Sequence, residues 1–309
     1  MADEPNNAVA TPCLAPAPAS VPAPAAPQSP GAAQSRHKVV GATSRESIWT
    51  LRRALPKKMQ LPFLFALPAI VFAVWCALTL GAHPVLNRLF LPSPVAVLQA
   101  TLRMAFDGTL AEHIGASVLR IFISFGAAAL VAVPLGVLMG SFEPINRFFE
   151  PVLAPMRYLP ISAFIPLLIL WLGIGEQQKI AFLFLGVFVY LLPVVITAIR
   201  AVPEELVQTA LTLGASKPQV IWTVLVPHAM PDIFDSFRVM NAISWTYVIL
   251  AEIVNARSGL GYMIQLAGAH LKTDEIFSGI LVIGVIGILT DALIRFANGV
   301  LFQWRESDS

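Results

Sequence analysis

Charge is scarce in this 309-residue chain: Asp, Glu, Lys and Arg make up 12%, roughly half the share of an average soluble domain. Hydrophobic residues reach 57% and mean hydropathy is +0.74, which excludes an ordinary soluble enzyme and implies a protein embedded in lipid. The 20 Lys and Arg against 18 Asp and Glu leave a formal charge of +2 with no long block of one sign, so the electrostatic footprint of a nucleic-acid binder is missing. Cysteine is nearly absent. Cys13 lies in a polar tail and Cys76 in an apolar run, which makes neither a disulfide framework nor a metal-ligand spacing. There is no Gly-x-x-x-x-Gly-Lys-Ser/Thr, so the chain cannot cradle ATP phosphates by the P-loop mechanism. His37, His83, His113, His228 and His270 all fall outside the long apolar runs, no His-Glu-x-x-His occurs, and no acidic pair stands at metal-binding spacing in a run. An intramembrane enzyme has nothing here to work with, and no cofactor is expected.

Residues 1 to about 36 are rich in Ala, Pro and Ser, too poor in large apolar side chains to offset the entropy of ordering. A basic n-region followed by an apolar h-region is lacking, so a cleaved signal peptide is not expected. The chain therefore divides into a disordered cytoplasmic tail, 1–58, and a membrane domain, 59–306. Six stretches of that domain approach the roughly 20 apolar residues needed to cross about 30 Å of hydrocarbon as a helix. Four are free of charge: Leu61–Leu80, Ile121–Phe142, Tyr158–Gly175 and Ile180–Ile199. The fifth, Val239–Ala256, carries Glu252, and the sixth, Ile276–Phe296, carries Asp291 and Arg295. Those last two are four apart, share a helix face and can pair while Arg295 snorkels to the headgroups. The expected fold class is an all-α membrane protein of six transmembrane helices.

An even number of spans puts both termini on one side. Arg45, Arg52, Arg53, Lys57 and Lys58, just before the first span, argue that this side is cytoplasmic. The loops tie: Arg147, Arg157, Arg200, Lys217, Arg238 and Arg305 inside match Arg88, Arg103, Arg120, Lys179, Arg257 and Lys272 outside. Pro134, Pro166 and Pro193 interrupt spans two, three and four, which is tolerated where neighbouring helices or a cavity satisfy the freed carbonyls. Gly126 and the Ala127-Ala128-Ala129 run allow close helix approach, so a packed bundle is expected. Between the first two spans, Leu91-Pro92-Ser93-Pro94 reads as a turn leading into Val95, Val97, Leu98, Leu102 and Phe106 at helical spacing. That pattern predicts a short amphipathic helix at the outer surface, ended by Gly108, with Leu110 to Arg120 leading into the next span.

The segment 200–232 is long yet patterned as two short helices. Val202-Pro203-Glu204-Glu205 starts the first, with Pro and two acids where a helix N-terminus favours them, and Gly214 ends it. Ser216 then caps a second helix with Pro218 in its first turn and Val220, Ile221, Val224 and Leu225 as an apolar stripe, stopped by Pro227 and Pro231. Such a unit either packs on its own bundle or presents itself to a soluble partner.

Gln208-Thr209-Ala210, then Gly214, then nine residues to Val224-Leu225-Val226-Pro227, resembles the EAA motif of ABC-importer permeases: Glu-Ala-Ala, three residues, Gly, nine residues, Ile-x-Leu-Pro. Other motifs follow in the order shown by the nitrate/sulfonate/taurine/bicarbonate branch of those permeases. They are Pro92-Ser93-Pro94, Gly108-Thr109-Leu110, Ser117-Val118-Leu119-Arg120, Pro134-Leu135-Gly136, Leu159-Pro160-Ile161, Trp171-Leu172-Gly173-Ile174-Gly175-Glu176, Leu213-Gly214-Ala215-Ser216, Ala251-Glu252-Ile253, Gly259-Leu260-Gly261-Tyr262 and Trp304-Arg305-Glu306. The resemblance covers roughly residues 61–306. It implies a MetI-like permease fold in a bacterial inner membrane and a second permease subunit, expected as a homodimer. It also implies two separate ATP-binding subunits docked on the EAA loop, and a periplasmic binding protein that delivers a small solute. By that resemblance Glu205, Gln208, Thr209, Ala210, Gly214, Ala215, Val224 and Pro227 form the ATPase-coupling loop. Gln208-Thr209 in place of Glu-Ala removes one acid from the motif, while Gly214 and Pro227 keep its turn geometry.

The alternative is an ion-coupled secondary transporter, which needs no P-loop either but commonly shows inverted repeats, and none is convincing here. Candidate pathway residues are Ser244, Trp245, Thr246 and Tyr247, whose hydroxyls could meet an oxyanion or simply join helices, and Glu252. An acid in a span marks a pathway or proton site by default, but Glu252 stands near the outer end with Arg257 close by, which fits a structural ion pair. Gly259 and Gly261 are expected to permit a tight turn.

Overall fold

The computed structural model describes residues 57–79, 87, 89–254 and 256–303. The chain divides into two units, 1–60 and 61–309, and the second holds every site discussed below. The tail up to residue 56, Cys13, the arginines of the basic cluster, His37, His83, Arg88 and the Trp304-Arg305-Glu306 motif lie outside the described residues. Among those described, every regular element is helical.

Helix α1 (Lys57–Thr79) contains Pro62 and Pro68. Near its end the Trp75 indole donates to the Pro92 carbonyl at 2.9 Å and packs on Phe277, 6.1 Å between ring centroids. Helix α2 (Pro94–Phe106) begins as expected, with the Ser93 hydroxyl accepting from the Ala96 amide and Pro94 in the first turn. Val97, Ala100 and Met104 are buried, while Val95, Leu98, Leu102 and Phe106 remain exposed. The small Ala100 and the Thr101–Ser278 hydroxyl pair, 2.7 Å apart, select the side that meets helix α11 (Thr273–Leu301).

Gly108, at φ +77°, turns the chain into α3 (Thr109–Ser141). The lead-in segment and the second span are thus one helix of 33 residues, about 50 Å long, and Pro134 sits within it without ending it. Ala128, Ala132, Gly136 and Gly140, spaced by four, form a stripe of small residues. A Cβ on Gly136 would lie 2.7 Å from Val195 and one on Gly140 2.8 Å from Ile199, so α3 packs backbone-close on α6 (Glu176–Arg200). Gly126 takes no part; nothing lies within 4 Å of a Cβ placed there.

The third expected span is not one straight helix. Between α3 and α6 the chain forms α4 (Glu143–Met156), a 3₁₀ turn (Ile161–Phe164) and α5 (Ile165–Leu172), with a bend of 91° between the α4 arm and the α5 arm. Pro160 disfavours helix at Leu159, Pro166 is tolerated only because it falls in a first turn, and Gly173 at φ +75° ends α5. After α7 (Glu204–Thr212), α8 (Lys217–Val220) and a π-helical turn (Ile221–Leu225) comes α9 (Val226–Ile253), which starts well before the expected Val239. A short helix α10 (Leu260–Ala269) and the long α11 (Thr273–Leu301) complete the described chain. By length and composition α3, α6 and α11 each suffice to cross a bilayer, and the bent α4–α5 pair adds a fourth if it crosses as a unit. His113 and His228, expected outside the spans, sit within α3 and α9 because both helices run longer than the apolar patterns that flagged them.

Candidate functional site

The segment 200–232 folds from local rules. Pro203 precedes α7, and Glu204 and Glu205 occupy its first turn, where the helix dipole favours acids. At the other end Gly214 adopts φ +89°; its amide donates to the Leu211 carbonyl at 3.0 Å and the Ala215 amide to Ala210 at 3.1 Å. These are the two bonds of a Schellman closure, and they need a left-handed residue at that position. The Gln219 side chain accepts from the Ser216 amide at 2.8 Å, capping α8. Gln208 and Thr209 are satisfied on their own helix: Gln208 donates to the Glu204 carboxylate at 2.6 Å and Thr209 to the Glu205 carbonyl at 2.6 Å.

The second helix of the pair is not stopped by Pro227 and Pro231. The Val226 amide reaches back to the Ile221 carbonyl in a π turn, and the chain runs straight on into α9. Pro227 lies in the first turn of α9, where its missing N–H costs little, and Pro231 is accommodated inside the helix. Burial divides the unit. Val220 and Ile221 are buried and Val224 and Leu225 half-buried, so the second stripe packs on its own bundle. No residue of α7 is buried, and Leu206, Leu211, Leu213 and Trp222 stand exposed, Leu213 at 84% and Trp222 at 68%. Glu205, Gln208, Thr209, Gly214 and Pro227 are exposed, and Ala210 and Ala215 half-buried. Large apolar side chains thus stand exposed on this turn, beside the polar Glu204, Glu205 and Gln208.

The structure does not gather Ser244, Trp245, Thr246 and Tyr247 into one patch. Ser244 is buried and donates to the Met240 carbonyl at 2.9 Å, Thr246 is exposed and donates to Ala242 at 3.3 Å, and the Trp245 indole donates to Thr290 on α11 at 3.2 Å. Tyr247 packs on Phe182 and over Gly186, where a Cβ would lie 2.9 Å from its ring. Asp291 pairs with Arg295 at 3.1 Å as expected, and also receives Arg238 from α9 at 2.8 Å.

Glu252 is fully buried, and its cation is Arg120, at 2.7 Å, rather than Arg257. The Ser117 hydroxyl donates to its two oxygens at 2.7 and 2.9 Å, and the Gly261 amide donates at 2.8 Å. Arg120 spends its other donors on Glu176, at 2.6 and 2.9 Å, and on Ser258. Lys179, 3% exposed, joins Glu176 at 3.0 Å. Arg120 and Lys179 are therefore interior ion-pair partners, where loop charges were expected. The sequence did carry a signal for them: His113, Ser117 and Arg120 fall at i, i+4 and i+7, a polar stripe on one face of an apolar helix. Gly259 and Gly261 do more than turn the chain. A Cβ on Gly259 would fall on the Glu252 carboxylate, and one on Gly261 would lie 2.8 Å from the Ile249 carbonyl.

Residues 132–306, more than half of the chain, match the family described as binding-protein-dependent transport system inner membrane component. The chain belongs to this family. The permease is 33% identical over 254 residues to the taurine transport system permease protein TauC of Escherichia coli, covering 81% of this chain and 92% of TauC. It is 31% identical over 260 residues to the nitrate import permease protein NrtB of Synechocystis sp., covering 79% of this chain and 94% of NrtB. Among solved structures, the inward-facing MetNI methionine ABC transporter aligns at a TM-score of 0.52 and 21% identity, over 60% of this chain and 91% of the matched one. That likeness is one of fold and fits the MetI-like expectation. Family membership makes the protein an ABC-importer permease subunit of the inner membrane and decides against an ion-coupled secondary transporter.

Proposed function

We propose that this permease passes a small oxyanion, of the nitrate, sulfonate, taurine or bicarbonate kind, through a pathway formed with a second copy of itself. In this reading two separate ATP-binding subunits dock on the segment 200–232, hydrolyse the ATP and push on the turn at Gly214, and a periplasmic binding protein delivers the solute. The observation that carries the docking site is the exposed α7 with Leu213 and Trp222 beside it, joined without a break through the π turn to α9. The names of TauC and NrtB support a sulfonate or nitrate group as cargo.

The membrane domain is read as 59–306 with six crossings: α1, α3, α4–α5, α6, α9 and α11. Both termini are placed in the cytoplasm. Burial of Arg120 and Lys179 supports that orientation, because it removes two charges from the outer tally. With Arg238 also set aside as the partner of Asp291, the loops still hold Arg147, Arg157, Arg200, Lys217 and Arg305 inside against Arg88, Arg103, Arg257 and Lys272 outside. In this reading Trp245 and Tyr247 are joints between helices, to Thr290 of α11 and Phe182 of α6, while the Ser244 and Thr246 hydroxyls are already bonded to carbonyls of α9 itself. The test is uptake of radiolabelled taurine, an alkanesulfonate, nitrate and bicarbonate by cells expressing the whole system. The proposal expects a permease-dependent signal with at least one of these, and no signal with any of them would refute the oxyanion reading.

A further inference from the structure

Two cations of the outer ion cluster are deeply buried, yet the anion that joins them is not. The side chains of Arg120 and Lys179 are 6% and 3% exposed, whereas that of Glu176 is 55% exposed. Arg120 presents its Nε and Nη2 edge to the Glu176 carboxylate as a two-pronged fork, at 2.6 and 2.9 Å, and the Lys179 ammonium reaches one of the same oxygens at 3.0 Å. The other acid, Glu252, is engaged elsewhere: fully buried, it accepts from Nη1 of Arg120, the Ser117 hydroxyl and the Gly261 amide. Glu176 is thus the partner that can be exchanged. Its departure would cost the carboxylate little, since it is already half in water. Two buried cations would then face one buried acid, which is strongly unfavourable unless another anion takes the vacated place.

The first turn of α6 also has donors left over. A buried ammonium ordinarily uses its three N–H groups, but Lys179 makes a single hydrogen bond among the described residues. Gln178 beside it is 2% exposed, and its amide nitrogen has no partner among them. Gly175, before the helix, brings no side chain to cap the first amides of α6. A carboxylate has two oxygens and satisfies the fork and one ammonium proton. Nitrate, bicarbonate and a sulfonate carry the same pair of oxygens for the fork and a third for a further donor of Lys179.

We propose that the seat held by Glu176 is an oxyanion-binding site at the outer face, in which the Glu176 carboxylate is a built-in occupant that an arriving nitrate, bicarbonate or sulfonate group displaces from Arg120 and Lys179. The inference rests on the oxyanion reading above and names where such a group first meets the permease. The tethered carboxylate keeps the site from trapping the anion, because it competes at high effective concentration.

The test uses the purified complex of permease and ATP-binding subunits, without binding protein, with sodium nitrate or sodium ethanesulfonate exchanged for sodium chloride at constant ionic strength. Chloride has no pair of oxygens for the fork. Glu176→Ala lowers the thermal midpoint in chloride, and nitrate or ethanesulfonate restores it with a saturable dependence in the millimolar range. Wild type responds only at concentrations roughly tenfold higher or more, where the added anion outcompetes the tethered one. Lys179→Met in the Glu176→Ala background weakens the restoration by a factor on the order of ten. If Glu176→Ala does not assemble, Glu176→Gln, which keeps the volume and removes the charge, takes its place. Restoration by chloride equal to that by nitrate means screening alone, and no restoration, or restoration indifferent to Lys179, shows a closed structural ion pair; each overturns the site. Uptake of an oxyanion without restoration keeps the cargo reading and overturns the site, whereas restoration in a complex that moves none of the four solutes keeps the site and refutes the cargo.

Discussion

Replacing Gly214 by valine perturbs the proposed docking turn at the one place where its backbone is unusual. The residue sits at φ +89°, and nothing lies within 4 Å of a Cβ added there, so the substitution meets no steric obstacle and its cost is conformational. For an L-residue forced into the left-handed region that cost is about 1–2 kcal/mol, with a β-branched side chain at the upper end. Opening the turn to relieve it would give up the bonds from the Ala215 and Gly214 amides to Ala210 and Leu211, each worth about 1 kcal/mol. The two responses are close in energy, so the strain lowers the ratio of closed to opened turn by roughly 5- to 30-fold and leaves the opened turn substantially populated. No residue of α7 is buried, so the membrane bundle is untouched. Immunoblotting of membranes should therefore give wild-type amounts of the permease, while co-purification of the ATP-binding subunits and uptake both fall. Gly214→Asn, which tolerates the left-handed region, should retain most of both. Wild-type co-purification and uptake in Gly214→Val would refute the assignment of this turn as the docking element.

Glu252→Ala leaves Arg120 buried with only Glu176 as counter-ion, and should cost about 3 kcal/mol, the low end for a broken buried pair, as a fall in the thermal midpoint in detergent; a loss below about 1 kcal/mol would show that the pair is not a buried one. Gly261→Ala places a methyl 2.8 Å from the Ile249 carbonyl and 2.9 Å from the Glu252 Cβ and should destabilise by about 1–3 kcal/mol. Gly268→Ala, in the same helix as Gly261 but with its nearest neighbour, Ile276 of α11, 3.9 Å away, should be neutral or slightly stabilising, and equal effects of the two would contradict the close packing around Glu252. Cysteines at the exposed Asp107 and Gln219, in a background free of Cys13 and Cys76, should react with an impermeant thiol reagent from outside and inside respectively, and labelling of position 219 from outside would overturn the orientation.

What could be read from the sequence was what local chemistry fixes. Ser93, Gly108, Pro203, Gly214 and Ser216 each act at the helix boundary they signalled, because a cap or a left-handed glycine needs only its immediate neighbours. The extent of the helices was less legible. Pro227 and Pro231 looked like stops, yet a π turn and a first-turn position absorb them, and nothing in residue type distinguishes that from a break. Tyr158–Gly175 is free of charge, so its composition reads as one span, although the chain bends by 91° at its start, next to Pro160, and its helical part ends at Leu172. The ion cluster was the least visible feature. Arg120 and Glu252 lie 132 positions apart, and only packing of α3 against α9 and α10 reveals that an arginine near a span's edge faces inward.

The most direct test of the account is the energy source. In cells moving one of the oxyanions above, the proton gradient is collapsed with a protonophore while ATP is held by glycolysis, and ATP is then depleted while a gradient is imposed. Uptake that persists in the first condition and stops in the second is the result expected of a permease driven by ATP-binding subunits docked on the segment 200–232. Uptake that stops with the gradient and survives loss of ATP would contradict it.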